Sequence, residues 1–573
     1  MPFWHDFLVK RRDKFVSKSS TSTFRPARAI ATISLALVAL SALAALHYPV
    51  QAPTNSFIVQ GTDLATVSAA VQAVGGKVTH KLGIIDAVAA ELTAAERAAL
   101  AKNRAVRRIA ANYALNSAAK GGKPSKHTPN DEPVTEGDAQ YTALVDADRL
   151  QQEGVTGRGV TVAVLDTGLE PLIPLLFDTA NVARVPVQYD AIADSLLGGI
   201  SDSDQSGHGT HVTSIVANGS TDAAGYYRGL APDVDLLPVK AFDANGQGTY
   251  ADVIRGLDWI VAHKDQYGIR VLNLSFSAPP HSRYWDDPLN QAVMAAWQAG
   301  IVVVASAGNR GPDPMTIGVP GNVPYIITVG AMTDSYTPND PSDDVLASFS
   351  AAGPTAEGFV KPEVVAPGGH LHAMMDFFDR IAQDHPEFYE DGYYFTMSGT
   401  SQATAVVSGV VAQMLQADPS LTPDAVKCRL MASARHATAA DGSPAYGILQ
   451  QGAGLVNAYD AVYSTAADCA NHGLDVAADL ADTQHFAGPA RMDSDGNFYI
   501  VGPDGTLYSG SFLWADSFLW SDSFLWADSF LWSDSFLWAD SFLWSDSFLW
   551  ADSFLWSDAL TESVGINVWV PQE

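Results

Sequence analysis

The 573-residue chain is 47% hydrophobic and 17% charged, enough apolar material for several buried cores, which excludes a disordered solvating chain. Its 63 acidic against 33 basic side chains give a formal charge of −30, which repels nucleic-acid phosphates, so no nucleic-acid partner is expected. Two cysteines, Cys428 and Cys469, are too few for a disulfide scaffold or a four-cysteine zinc site; they form one bridge in an oxidising compartment or stand as independent thiols.

At the start of the chain, Lys10, Arg11, Arg12, Lys14, Lys18, Arg25 and Arg28 precede a mostly apolar run from Ala29 to Leu46. A basic region followed by a hydrophobic stretch makes 1–50 a signal peptide or, since the run reaches the lower limit for crossing a bilayer, a membrane anchor with its positive end inside. The remainder is then expected to be secreted or extracytoplasmic. Segment 55–118 alternates a strand at Phe57 to Val59, a helix from Leu64 to Val74, a strand pair around Val78 and Ile84-Ile85, a helix from Thr93 and a strand at Val106 to Ile109. It reads as a small α+β module, either a removable pro-segment or an ordinary N-terminal domain. The Gly, Lys, Pro, Ser and Thr of 119–140 cannot bury a core and predict a linker.

From Gly159 to Leu165 a β-branched apolar run ends in Asp166-Thr167-Gly168, as a buried parallel strand would, leaving Asp166 at its carboxyl end, where open α/β sheets place ligands. An Asp-Thr-Gly turn taken alone is more often structural. In Gly207-His208-Gly209-Thr210-His211-Val212 the two glycines leave His208 open to close approach, and a helix is predicted from Val212. His208 is the candidate base and His211 a packing residue; a metal pair is disfavoured because no cysteine or zinc-protease glutamate accompanies them. Strands at Leu236 to Lys240, Val271 to Ser275, Ile301 to Ala305 and Ile326 to Gly330 alternate with helices at Ala251 to His263 and Pro288 to Ala299. That repetition predicts right-handed parallel crossovers with loops gathered at one edge. Asn309, after one such strand, is a turn former or an amide donor to a developing oxyanion. Ser401, on a small-residue turn running into a helix, is a nucleophile only if a base and a carboxylate accompany it.

Val164 to Gly168, Gly207 to Val212 and Gly399-Thr400-Ser401 resemble, in this order, the three catalytic signatures of the subtilisin-like serine proteases, the subtilases. Ala307-Gly308-Asn309, Ser348-Phe349-Ser350, Gly353-Pro354, Lys361 to Gly368 and Gly452 to Ala458 add to the likeness, which spans 145–465, while 55–118 resembles the family's inhibitory propeptide. The resemblance implies an α/β three-layer sandwich with a mainly parallel sheet, and an exported serine endopeptidase made as an autoprocessed zymogen. Asp166 would orient His208, His208 would take the proton of Ser401, and Asn309 with the Ser401 N–H would hold the oxyanion. Leu274, Ser275, Phe276 and Ser277 would form one wall of the first specificity pocket and Ala307 and Gly308 the other. Protein or peptide substrates and the chain's own propeptide are the implied partners. No cofactor is required for the chemistry, no metal ligand is assigned, and structural calcium is left unplaced.

Three departures stand out: Ala405 where the family has proline, Ser277 where glycine is frequent, and Thr213-Ser214 for Ala-Gly. The segment from His370 to Tyr394 is longer than usual and reads as a surface elaboration, with capping of the cleft as the alternative and His370, His372 and Asp376 as surface polar residues or metal ligands. Beyond it, 470–510 is a short β-rich segment. In 511–558 the hexapeptide Ser-Phe-Leu-Trp-(Ala/Ser)-Asp repeats, and 559–573 is a tail. An even repeat keeps Phe and Trp on one face of a strand, so the repeats predict a stacked β array for surface or substrate attachment, or else a low-complexity tail.

Overall fold

The structure, a computed structural model, describes residues 55–116, 141–334, 344–390, 392–438, 444–502, 505 and 507–509. Apart from Asn55, these belong to the second of two compact units, 56–573. The expected signal or anchor in 1–50, the linker 119–140, the repeats 511–558 and the tail 559–573 lie outside the described residues.

The first module contains β1 (Ser56–Gly61), α1 (Leu64–Ala73), β2 (Lys77–Leu82), β3 (Ala87–Glu91), α2 (Ala94–Leu100) and β4 (Val106–Ala111), with an antiparallel sheet in the order β2-β3-β1-β4. Both helices start where the sequence supplies a cap. Asp63 accepts from Thr66 N, and Thr93 and Glu96 satisfy each other's backbone N–H groups. Alternation along the strands gives the sheet two apolar faces: Val59, Val88 and Ala90 pack with Val67 and Val71, whereas Ile58, Ala87 and Ala89 join the core of the larger domain. Ile84-Ile85, expected as a strand, lies instead in a single 3₁₀ turn over Gly83–Ile85. Gly83 N is taken by the Asp258 carboxylate at 2.9 Å and Asp86 turns the chain in the left-handed region at φ 51°, so pairing resumes only at Ala87.

The module's last strand, β5 (Ala114–Asn116), leaves this sheet. After two short helices, Tyr141–Leu144 and Ala147–Gln152, the main elements of the larger domain include β6 (Thr161–Asp166), β7 (Val187–Asp190), β8 (Ser195–Gly198), α3 (His208–Ala217), β9 (Asp235–Lys240) and β10 (Gln247–Thr249). It continues through α4 (Tyr250–Tyr267), β11 (Ile269–Leu274), α5 (Pro288–Gln298), β12 (Val302–Ser306), β13 (Ile327–Thr333), β14 (Val345–Leu346) and β15 (Val364–Pro367). A nine-stranded sheet runs β14-β13-β12-β11-β6-β9-β7-β8, with β15 also on β13; only the β14 and β8 pairings are antiparallel. All of β6 is buried, as an uninterrupted apolar run requires between two helical layers. Alternation at its end sends Leu165 under α4, where Gly256 leaves room for it, and Asp166 to the opposite side. This is the three-layer α/β sandwich that the strand–helix repetition predicts.

A second small sheet, β16 (Leu371–Met374), β17 (Tyr389–Glu390) and β18 (Tyr394–Met397), precedes the buried helix α6 (Thr400–Ala417). α6 is buried over nearly its whole length, and its small residues explain how: the missing side chain of Gly409 admits Leu230, whose Cβ lies 2.3 Å from where a Cβ would stand. Cys428, inside α7 (Pro423–Ser433), is bridged to Cys469 with Cα atoms 5.1 Å apart, so the two-thiol alternative falls. The segment beyond holds a three-stranded antiparallel sheet, β19 (Ala490–Met492), β20 (Phe498–Val501) and β21 (Leu507–Ser509). It also holds a short helix, Val476–Leu480. Asp479 of that helix accepts from Tyr284 and Tyr325 hydroxyls at 2.7 and 2.6 Å, which fixes the segment to the domain. Among the described residues no helix is long and apolar enough to cross a membrane.

Candidate active site

Three sequence-distant segments meet at the carboxyl edge of the sheet. Asp166 ends β6 and His208 opens α3, and their side chains, both fully buried, join through Asp166 Oδ1 and His208 Nδ1 at 2.6 Å. The carboxylate accepts, so Nδ1 carries the proton and Nε2 presents its lone pair. Among the described residues Nε2 has no hydrogen-bond partner, which is rare for a buried polar atom.

The helix carrying His208 is held from several sides. It begins at His208 rather than at Val212, because Asp204 accepts from the N–H groups of Ser206, Gly207 and Thr210 and from the Thr210 hydroxyl, at 2.8–3.0 Å, satisfying donors that a helix start leaves orphaned. Gly207 turns into it at φ 93°, with Met375 and Asp379 where a side chain would go. Thr167 Oγ1 accepts from Gly209 N at 2.8 Å, so the Asp-Thr-Gly turn fixes the histidine segment as well as ending the strand. His211 is buried and bonds to the Phe395 carbonyl at 3.0 Å; burial drives its imidazole down to about 3, keeping it neutral and structural.

Ser401 is the second residue of α6, where the first-turn N–H groups have no acceptor within the helix. Its hydroxyl donates to the Ser275 carbonyl at 2.9 Å. The Ser275 hydroxyl donates to the Ser401 carbonyl at 2.9 Å and accepts from Asn273, which in turn accepts from Ser408, so a chain of bonds locks β11 to α6. Asn309 Oδ1 accepts from Thr400 N at 2.9 Å and Thr400 Oγ1 at 2.8 Å. A backbone N–H can only donate, so this pair sets the amide's orientation and leaves Nδ2 facing the other way. Glycine at 399 keeps that side clear: a Cβ there would lie 3.4 Å from Nδ2. The Ser306 hydroxyl donates to the Phe276 carbonyl at 2.8 Å, tying the ends of β11 and β12 and bringing 274–277 opposite 307–308.

Residues 157–454, just over half of the chain, match the sequence profile of the Subtilase family. The chain belongs to the subtilase family. This subtilase is 39% identical over 278 residues to serine protease AprX of Bacillus subtilis, a match that covers 48% of this chain and 60% of AprX. It is 31% identical over 293 residues to subtilisin DY of Bacillus licheniformis, covering 51% of this chain and 89% of that protein. Among solved structures, fervidolysin from Fervidobacterium pennivorans, described as a keratinolytic enzyme related to subtilisin, superposes with a TM-score of 0.55 at 23% identity, covering 78% of this chain and 68% of that one; this is a likeness of fold.

The subtilase differs from its sequence reading in two places near the site. The 370–394 segment builds a buried cluster of Met375, Ile381 and Ala382 with Phe395 and Met397 just after it, and it docks on the histidine segment through Arg380 N and Ile381 N to the Gln205 and Ser206 carbonyls, both at 3.1 Å. His370 bonds to Asp334 at 2.6 Å and His372 stacks on Tyr394, so the two diverge. Among the described residues no group of three or more His, Cys, Asp or Glu side chains is placed to hold a metal. The second difference is β10, which pairs antiparallel with β5 through Gln247 to Asn116, Gly248 to Leu115 and Thr249 to Ala114. The polar Gly-Gln-Gly-Thr run carries none of the alternation that marks a strand, so β10 was invisible to periodicity.

Proposed function

We propose that this chain is an exported serine endopeptidase, made as a zymogen, in which Ser401 attacks a peptide carbonyl with His208 as base. The observation carrying this reading is the Asp166–His208 bond with Nε2 unpaired at the sheet edge to which Ser275, Asn309 and Ser401 also come. Rotation of Ser401 about its Cα–Cβ bond exchanges the Ser275 carbonyl for His208 Nε2. The hydroxyl proton passes to Nε2 as the Oγ–carbon bond forms, and the carbonyl oxygen becomes an oxyanion facing Asn309 Nδ2 and the Ser401 N–H. The imidazolium then gives its proton to the departing amine, and water, activated by the same histidine, releases the acyl group and restores Ser401.

The module from 55 to 118 is proposed as the intramolecular inhibitor. Its sheet sits on α4, with His80 on Asp252 at 3.1 Å and Asn112 Oδ1 accepting from Ala251 N at 2.9 Å, and its last strand pairs with the β10 edge as an extended substrate would. Asp166, His208 and Ser401 then cut the chain between Leu115 and Glu136. In an exporting host, Ser401→Ala is expected to accumulate at full precursor length while the unaltered chain loses the module. Normal trimming of the Ser401→Ala chain would assign the cut to another protease.

A further inference from the structure

Between β16 and β18 the chain turns aromatic rings outward beside the histidine segment. Phe378 is 85% exposed, Phe377 41% and Tyr393 48%, whereas Phe395 just beyond is fully buried. Phe377 meets Phe378 and Tyr389 edge-on, with ring centroids 5.8 and 5.2 Å apart, so the rings make one patch rather than scattered surface contacts. The patch is held in shape by its own backbone. Asp376 Oδ1 accepts from Phe378 N at 2.8 Å, the Phe377 carbonyl accepts from Gln383 Nε2 at 2.6 Å, and the Tyr393 carbonyl accepts from Met375 N at 3.0 Å. Tyr393 stands at φ 70°, a costly conformation for a residue that carries a ring. Rings fixed in this way lose little freedom when a partner covers them, which is what an aromatic anchor needs.

Position and charge together say what covers the patch. Met375 and Asp379, on either side of the two phenylalanines, occupy the place where a side chain at Gly207 would stand, and Gly207 directly precedes His208. Three residues of chain span at most about 11 Å, so the Phe378 backbone lies within that reach of Met375, and a polypeptide engaged at His208 arrives at the patch a few residues from the bond being cut. Between Met375 and Tyr393 stand six Asp or Glu residues against one Arg and no Lys, and that Arg380 is paired with Asp384 at 2.6 Å. Asp384, Glu387 and Glu390 are half-exposed, so the rings sit inside an anionic rim. We propose that the 377–393 patch, with Phe378 as its anchor, binds a stretch of the substrate polypeptide that is both apolar and cationic, a few residues away from the cut bond. The endopeptidase reading above is the ground on which this rests. Phe378 touches substrate there and takes no part in the bond chemistry; the rim excludes acidic stretches by like charge.

The test uses mature enzyme purified from the full chain and three quenched peptides that share one scissile sequence. One is bare, one carries a Leu-Lys-Leu-Lys extension starting three residues before the cut bond, and one carries it starting three residues after. The unaltered enzyme is expected to cut one of the two extended peptides with KM at least fivefold below that of the bare peptide, about what partial burial of one ring supplies. Phe378→Ser, at a ring too exposed to support the fold, is expected to shrink that advantage to less than twofold. A Leu-Glu-Leu-Glu extension in the same place is expected to bring none. An advantage absent from both extended peptides, one that survives Phe378→Ser, or one that the Glu version shares overturns the proposal. So does an advantage that appears only after 511–558 are deleted, which would give the patch to the repeats, or a dimer in sedimentation that Phe378→Ser dissolves, which would give it to a second copy. Labelling with a serine-directed fluorophosphonate on the same preparations separates the two levels. A labelled enzyme that cuts all the peptides alike defeats the patch alone, whereas folded protein that neither labels nor cleaves defeats the peptidase reading and the patch with it.

Discussion

Asn309 owes its aim to a neighbour that can only donate. Thr400 N fixes Oδ1 at 2.9 Å and leaves Nδ2 facing the other way, which in the proposed reaction is where charge develops on the attacked carbonyl. Asn309→Ala is therefore expected to lower kcat by roughly 10²–10³ with KM little changed, measured by steady-state hydrolysis of a peptide substrate. An equal rise in KM at constant kcat would make Asn309 a ground-state binder instead. Asp166, His208, Asn309 and Ser401 were singled out in the sequence through the resemblance, since an Asp-Thr-Gly turn or a loop asparagine alone is more often structural; of the four, the structure joins Asp166 to His208 by a hydrogen bond. Thr400 as the amide's anchor was not legible, because its role depends on a partner 91 residues away, Asn309, and no local pattern encodes that distance.

Among the elements, the β16 to β18 insertion carries the most consequence. Asp376 N donates to both Glu170 Oε2 at 3.1 Å and Asp379 Oδ2 at 3.2 Å, so two carboxylates converge beside the start of α3. Burial, then Asp204, Asp376 and Asp202 nearby, push Glu170 up from 4.5 to about 8, and burial with Asp204 and Glu170 pushes Asp379 up too. The folded chain thus holds protons there that the unfolded chain releases. Their contribution to stability is fully present below the ordinary carboxylate range and is lost as pH climbs through the window between about 4.5 and about 8. Thermal unfolding of a Ser401→Ala background is expected to show a lower Tm at pH 9 than at pH 6, and Asp379→Asn is expected to shrink that drop. A drop unchanged by Asp379→Asn would place the titration elsewhere. The strands of the main sheet were legible because buried parallel strands need uninterrupted apolar runs. The insertion was not, since its aromatic and acidic residues fit a solvated loop as well as a small docked sheet.

For the whole molecule, one covalent tie joins the larger domain to the segment behind it. The Cys428–Cys469 bridge spans a separation of 41 residues, and beside it Lys427, fully buried, pairs with Glu363 at 2.8 Å and bonds to Asn471 at 3.1 Å. Closing a loop of that length stabilises a fold by about 4 kcal/mol in the chain-entropy description. Replacing both cysteines by serine in a Ser401→Ala background is expected to lower the unfolding free energy by about that amount in a denaturant titration. A change below about 1 kcal/mol would mean that the packing of Asp479 against Tyr284 and Tyr325 holds the segment unaided. In the proposed function all of these elements serve one oxygen, Ser401 Oγ, and its reactivity is the central claim. The direct measurement is fluorophosphonate labelling of the mature protein at neutral pH followed by peptide mass mapping. The adduct is predicted on Ser401 in the unaltered chain and is predicted to be lost in His208→Ala; a correctly folded, processed chain that takes no label, or carries it elsewhere, would contradict the account.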